Sequence, residues 1–442
     1  MRKRWIVVAM LVVGCLFAAV LSQMKEPPSH EATLSDGTVV RLVKVGIGSI
    51  PYDSFPPLKA LVADYVPNRF QSRLGTRIKT TLTCQSHEIG LIFLHRTKDD
   101  QPKTDPQQFL SRMEFIDSKG FVFNVGVGGY SSSSGVMLID EGPFPRRDPV
   151  LHLRLFELQT DRLLFDLHVP NPGYKPSFDE WTPEPIPATQ TAAPLTVTLK
   201  RGPADIPAKY LRDEDIEITS TDPRWTATRS QRHVWLTDAT GSRAYDFSGL
   251  SPHEPAWKLH VRVFRSAEAE FGADEVWRTK LVPLPEALKA ERIKLGGIAA
   301  GVEFSTAYLT SAGELRDDGT ELTVALTRLG SNGGTSSGTG FENGKRFQTV
   351  DSPLPHFQLS HTPHDEETSL IIVVKDQAGR KLSNDHSGSS VSHQAGGIWS
   401  RIVQFEPLPD TTEVQLEVIV NRGRTFEFLV APRKPDAAKV AP

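Results

Sequence analysis

The residues best suited to bind a metal ion are grouped between positions 361 and 393. Imidazole and carboxylate groups suit Zn²⁺, and an open coordination position would permit hydrolysis. A proline stands between the first two histidines and excludes the helical H-E-x-x-H arrangement, so these groups would have to meet from separate loops. A solvated polar loop is the alternative interpretation. The candidate ligands are His361, His364, Asp385, His386 and His393.

Nucleophilic and paired-carboxylate catalysis are not indicated. Gly334–Gly338 reads G-T-S-S-G, but the nucleophile elbow of that pattern needs an entering strand and a leaving helix, and the flanking residues predict neither. Cys84 follows an alternating pattern typical of a strand, which predicts a buried and inert thiol. Asp213-Glu214-Asp215 are neighbours along the chain and cannot span a cleft as glycosidase acids must. We therefore predict no catalytic residue and no cofactor.

Two arginines and two tryptophans are the candidates for ligand binding. Arg146 and Arg147 lie in a compact basic turn, F-P-R-R-D, that could hold a carboxylate or phosphate; a local surface pair between Arg147 and Asp148 is the alternative. Trp181 and Trp257 could stack on sugar rings if they were exposed on one sheet face. Most tryptophans here stand among other apolar residues, a setting that favours the core of a β-sandwich.

The elements that must position these residues are predicted to be strands. Proline and glycine number 33 each and separate short segments of period-2 alternation, such as Trp257–Val263 and Thr425–Val430. Pro285–Leu295 is a good helix former that starts with proline, so it is a helical candidate. The chain has 442 residues and a formal net charge of −3, so no basic surface indicates nucleic-acid binding.

The pattern divides the chain into three all-β domains of β-sandwich type in tandem after an N-terminal signal or transmembrane helix. Four prolines mark a semi-rigid linker between the first two domains. The predicted divisions are residues 1–28 (cytoplasmic tip and anchor), 29–182 (first domain), 183–194 (linker), 195–284 (second domain), 285–297 (helical connector), 298–432 (third domain) and 433–442 (tail); a division into two domains remains open.

The N-terminal segment predicts export. Arg2, Lys3 and Arg4 precede the uncharged stretch 6–22, which is long enough to span a bilayer, and the positive-inside rule places Met1 in the cytoplasm. Three interpretations stay open: an uncleaved anchor, a signal peptide cleaved near residue 22, or a lipoprotein modified at Cys15. The body of the chain would face the periplasm or the exterior, where a protein or polysaccharide partner is possible.

Several short motifs resemble a group of bacterial membrane-anchored β-sandwich proteins of unknown function. These are Phe144-Pro-Arg-Arg147, Val169-Pro-Asn-Pro172, Trp181-Thr-Pro-Glu-Pro185, Glu254-Pro-Ala-Trp-Lys-Leu259, the opening Leu34–Val40 and the closing Phe426–Pro432. The resemblance implies the architecture and no mechanism. We expect a membrane-tethered structural or binding protein. The alternatives are a carbohydrate- or peptide-binding module that uses exposed tryptophans and a metal-dependent hydrolase around His361 and His364.

Overall fold

The computed structural model shows an all-β chain. β-Strands are the predominant element, and no α-helix occurs among the residues that the model describes. Those residues are 30–55, 79–98, 109–127, 131–133, 135–206, 208–225, 232–284, 290–310, 313–317, 322–325, 336–342, 345–352, 354–362, 367–382, 392–394 and 398–433.

The first unit consists of two sheets that share one hydrophobic core. One sheet has the order β1-β2-β5-β9-β8 and the other β11-β10-β6-β7, while β3 and β4 form a separate ribbon. Alternate residues such as Leu91, Phe93 and Leu153 point into the core and are fully buried. The strands are β1 (His30–Thr33), β2 (Val39–Gly46), β3 (Ser49–Asp53), β4 (Lys79–Thr83), β5 (Ile89–Arg96), β6 (Leu110–Ile116), β7 (Val122–Gly126), β8 (Ser131–Ser133), β9 (Val136–Glu141), β10 (Val150–Glu157) and β11 (Leu163–Pro170).

The second unit has a three-stranded sheet, β12-β13-β14, that shares a core with a sheet formed by β16, β15 and β17. Trp257 is fully buried in this core, and its indole Nε1 donates to the Ser251 carbonyl at 3.1 Å. The strands are β12 (Ala188–Ala192), β13 (Leu195–Leu199), β14 (Ile216–Ser220), β15 (Arg232–Asp238), β16 (Arg243–Ala244) and β17 (Trp257–Val263).

The third unit packs one sheet of β18, β30, β19 and β27 against another of order β20-β21-β26-β29-β28. A further sheet has the order β23-β22-β25-β24. The strands are β18 (Val276–Arg278), β19 (Val282–Pro283), β20 (Ala290–Ala299), β21 (Val302–Thr310), β22 (Gly313–Asp317), β23 (Leu322–Ala325), β24 (Ser336–Glu342), β25 (Lys345–Ser352), β26 (His356–His361), β27 (Thr368–Asp376), β28 (Ser392–Gln394), β29 (Ile398–Gln404) and β30 (Glu413–Arg422).

The last strand, β31 (Arg424–Val430), returns to the second unit. It pairs with β17 along its whole length, from Val263 opposite Arg424 to Trp257 opposite Val430. Phe426, Phe428 and Val430 complete the second core. Along the sequence, the strands of the third core therefore come after β17 and before β31, although β17 and β31 are neighbours in one sheet of the second unit. The predicted division is wrong here, because it placed β31 in the third domain and β18 and β19 in the second.

The predicted linker 183–194 is part of the second unit. Ala188–Ala192 pairs with β13, and Ala188 and Ala192 pack against the second core. Glu184 donates its backbone N–H to the Leu429 carbonyl at 2.9 Å, and its carboxylate accepts from the Leu429 N–H at 2.8 Å. Small alternating side chains and this pairing turn a proline-rich segment into an edge strand.

The predicted helical connector 285–297 is wrong over residues 290–297. These residues belong to β20, which pairs with β21, and Gly297 lies directly beside the Trp277 indole. Pairing with a neighbouring strand overrides the helix propensity of the local sequence. Residues 285–289 lie outside the described residues.

The N-terminal anchor also lies outside the described residues, as does most of the tail. Within the described part of the chain, no helix has the length and apolar character to cross a membrane.

Candidate functional site

The outer face of the sheet β16-β15-β17-β31 carries an aromatic and cationic cluster. Trp235 lies opposite His260, and His260 lies opposite Glu427, so the three stand in one row across β15, β17 and β31. Their immediate neighbours Leu236 and Phe428 face the second core. Because side chains alternate between the two faces of a strand, the packing of the core fixes this row on the outer face.

Two arginines cover the tryptophan of this row. The Arg262 Cζ lies 4.4 Å and the Arg243 Cζ 4.8 Å from the ring of Trp235, whose plane is stacked on His260 with the ring centroids 4.8 Å apart. Arg262 also donates from Nε to the Thr425 hydroxyl at 3.1 Å. Cation–π contacts of this kind hold a guanidinium in a fixed plane, because its flat face rests on the ring.

An open cleft of about 420 Å³ lies over this cluster. It is lined by residues of all three units: His87 from the first, Trp235, Arg243 and Arg262 from the second, and Glu367 from the third. A volume of several hundred Å³ is typical of a site for a small ligand or for one segment of a polymer. We refer to it as the Trp235 cleft.

His260 is held on both ring nitrogens at the floor of the cleft. Its Nε2 lies 2.9 Å from the Thr237 hydroxyl, and its Nδ1 lies 3.3 Å from a Glu427 carboxylate oxygen. Burial, opposed in part by Glu427, lowers the pKa of His260 to about 4. The order hydroxyl, imidazole and carboxylate resembles a nucleophile–base–acid chain, but a general base works best with a pKa near the operating pH. At a pKa of about 4, His260 is a weak general base at neutral pH.

The charge of the cleft favours an anionic ligand. Glu427 is already engaged by Lys258, whose Nζ lies 2.9 Å from its second carboxylate oxygen. Arg243 and Arg262 contribute two positive charges to the lining, and the exposed Glu367 contributes one negative charge. Guanidinium groups bind carboxylates and phosphates through paired N–H donors.

Comparison of the chain with family profiles, with curated proteins and with solved structures gave no match.

The structure places Arg146 and Arg147 at a different site, between the first and second units. Arg147 makes two hydrogen bonds to the buried Glu254 carboxylate, Nε to Oε1 at 2.7 Å and Nη2 to Oε2 at 2.8 Å. Arg146 is buried and donates to the carbonyls of Ser86 and Thr240. The chain's own Glu254 occupies the guanidinium of Arg147, so this turn joins the two units, and the binding of an external ligand by these arginines stays a prediction.

The two candidate tryptophans occupy different environments. Trp257 is fully buried in the second core, which excludes contact with a ligand in this conformation. Trp181 is partly exposed, and the Lys258 ammonium lies 5.0 Å from its ring. Because Lys258 also pairs with Glu427, Trp181 borders the same polar face as the Trp235 cleft.

The structure describes only some of the predicted metal ligands. His361 is buried beside Phe304, and its Nδ1 lies 2.9 Å from the Thr362 carbonyl oxygen. The backbone of His393 is in register with Trp399, which is in register with His361, so two strand spacings, about 10 Å, separate the two histidine positions. That spacing does not by itself bring them within the few ångströms that a shared Zn²⁺ requires. His364, Asp385 and His386 lie outside the described residues.

Cys84 is the buried, inert thiol that the sequence predicts. It is 7% exposed, and burial, assisted by nearby Asp140 and Glu88, raises the pKa of its thiol to about 12. A thiol with so high a pKa is a poor nucleophile at neutral pH.

Sequence reasoning missed the Trp235 cleft. Trp235 stands between Val234 and Leu236, so its strand shows three apolar residues in a row and no clear face. The available signal was the alternation of polar residues in β17, where His260 and Arg262 flank Val261. The partner Glu427 comes from β31, whose place in this sheet no local pattern shows.

Proposed function

We propose that this protein is a membrane-tethered, extracytoplasmic binding protein that takes a carboxylate-bearing ligand in the Trp235 cleft. The observation that carries the proposal is the pair of arginines held on one buried tryptophan beneath an open cleft of about 420 Å³. Three β-sandwich modules form the extracytoplasmic body, and residues 6–22 supply the anchor.

The environment of the arginines supports a carboxylate rather than a neutral sugar face. Trp235 is only 5% exposed, because His260 and the two guanidiniums cover it. A sugar ring therefore has little indole surface to stack on, while an acidic group entering the cleft meets two fixed cations. Preorganised donors of this kind cost little conformational entropy when a ligand binds.

Titrations with an acidic and a neutral oligosaccharide test the ligand class. We expect oligogalacturonate to quench tryptophan fluorescence saturably and a neutral glucose oligomer to have no effect. Arg243→Gln keeps a polar side chain over Trp235 and removes one charge, so it should weaken binding by about tenfold or more. The matched control is Arg212→Gln, which changes an exposed arginine of the same unit and should bind as the wild type does.

Two results would contradict the proposed ligand site. One is that oligogalacturonate shows no saturable binding, and the other is that Arg243→Gln and the wild type bind it with equal affinity. Fractionation tests the tether separately. The full chain should sediment with membranes, and a chain lacking residues 1–28 should not.

A further inference from the structure

The outer face of the sheet β11-β10-β6-β7 in the first unit carries two histidines and an aspartate side by side. His152 on β10 lies directly opposite His168 on β11, and Asp166 lies one pleat further along β11 on the same face. Leu153, Leu167 and Val169, between and beside them, face the first core. The alternation of the two strands thus fixes all three polar side chains toward solvent.

The three side chains converge at one point. The imidazole rings of His152 and His168 are stacked with their centroids 4.3 Å apart and their planes 15° from parallel. The Nε2 of His152 lies 2.7 Å from Asp166 Oδ1. One ligand atom from each residue lies within 4.8 Å of the other two, a separation that small side-chain rotations reduce to that of donors on a shared ion.

The neighbouring charges leave the group available for a ligand. Arg154, the residue directly opposite Asp166, forms its ion pair with Glu114 on the other side, at 3.0 Å. In the described part of the chain, the ring stack with His152 is the one hydrogen-bond, ion-pair or ring contact that His168 makes.

We propose that His152, Asp166 and His168 bind a divalent transition-metal ion of the zinc type. Two imidazole nitrogens and one carboxylate oxygen are borderline donors that suit Zn²⁺ and select against Ca²⁺ and Mg²⁺, which take oxygen ligands. Three protein ligands leave a coordination position open to water or to a donor from a partner. The site lies in the first unit, apart from the residues that line the Trp235 cleft, and does not depend on the function proposed for that cleft.

Zn²⁺ titration of the purified full chain tests the proposal, with a chromogenic chelator as competitor. The wild type should bind Zn²⁺ saturably, and His168→Ala should lose one equivalent. Asp166→Asn should weaken that equivalent by about tenfold. Because His168 is exposed, its replacement should leave the circular dichroism spectrum and the unfolding midpoint of the protein unchanged.

The controls separate this site from other histidines. His30→Ala removes a histidine on β1, outside the group, and should keep the wild-type stoichiometry. Excess Mg²⁺ or Ca²⁺ should not displace Zn²⁺. The proposal is wrong if the wild type binds no Zn²⁺ at millimolar concentration, or if His168→Ala binds as many equivalents as the wild type with the same affinity.

Discussion

Asp238 gives the sharpest test of how burial affects the stability of this protein, because its carboxyl group is buried between the first and second units. It is 4% exposed and lines a small cavity of about 40 Å³ together with Arg146. Its Oδ1 accepts three hydrogen bonds, from the Thr240 N–H at 2.9 Å, the Thr240 hydroxyl at 2.6 Å and the Ser242 N–H at 3.1 Å. Burial outweighs these bonds and raises the pKa of Asp238 from 3.8 to about 6.

The raised pKa makes Asp238 a source of instability above pH 4. Well below that pH, Asp238 is protonated in both the folded and the unfolded chain. As the pH rises from about 4 to 6, the unfolded chain releases its proton first, so ionisation favours unfolding and stability is lost. Those two pKa values correspond to about 2 kcal/mol of lost unfolding free energy between pH 4.5 and 7.5.

Asp238→Asn should remove this pH dependence. Its carbonyl oxygen can still accept the three hydrogen bonds, and it does not ionise. We therefore expect the unfolding free energy of the variant minus that of the wild type to increase by about 2 kcal/mol from pH 4.5 to 7.5. Urea unfolding followed by tryptophan fluorescence at both pH values measures the difference, with Asp205→Asn as an exposed control in the same unit. A difference that does not change with pH would refute the assignment of a raised pKa to Asp238.

Three further predictions concern stability, each measured by urea unfolding at pH 7, and ligand affinity is measured by the oligogalacturonate titration. Arg147→Ala removes both bonds to the buried Glu254 and should cost about 2 kcal/mol, whereas Lys200→Ala breaks an exposed ion pair and should cost under about 0.5 kcal/mol; equal costs would contradict the buried pairing. Trp257→Phe should cost about 2 kcal/mol and leave ligand affinity unchanged, since the side chain faces the core. Phe428→Ala should cost about 3–5 kcal/mol, and a small effect would argue against β31 completing the second core.

Alternation in the sequence predicted individual strands well. The segments Leu163–Pro170 and Trp257–Val263 are strands with the bounds that their patterns indicate, and their apolar residues face the cores. This success is local, because a period of two depends only on the pleat of a single strand. It does not identify the partner strand, since Arg262 bonds to Thr425, a residue 163 positions further along the chain.

The predictions from sequence were wrong where the local secondary-structure preference and the long-range strand pairing disagree. Residues 290–295 read A-E-R-I-K-L, a string of good helix formers, yet they pair with β21. The second unit acquires an edge strand from a segment whose prolines predicted a linker. The Trp235 cleft could not be derived from the sequence for the same reason, because its walls come from three distant parts of the chain.

The pairing of β17 with β31 has a consequence for synthesis and for engineering. Val263 and Arg424 are directly opposite each other, so the 160 residues from 264 to 423 leave and re-enter the second unit at neighbouring points, about 5 Å apart. During translation, the sheet stays one strand short until that whole segment has left the ribosome, on the order of 10–30 s later. The same geometry allows a two-residue turn to replace the segment and join β17 to β31 as a hairpin, giving a shortened chain that retains the second core.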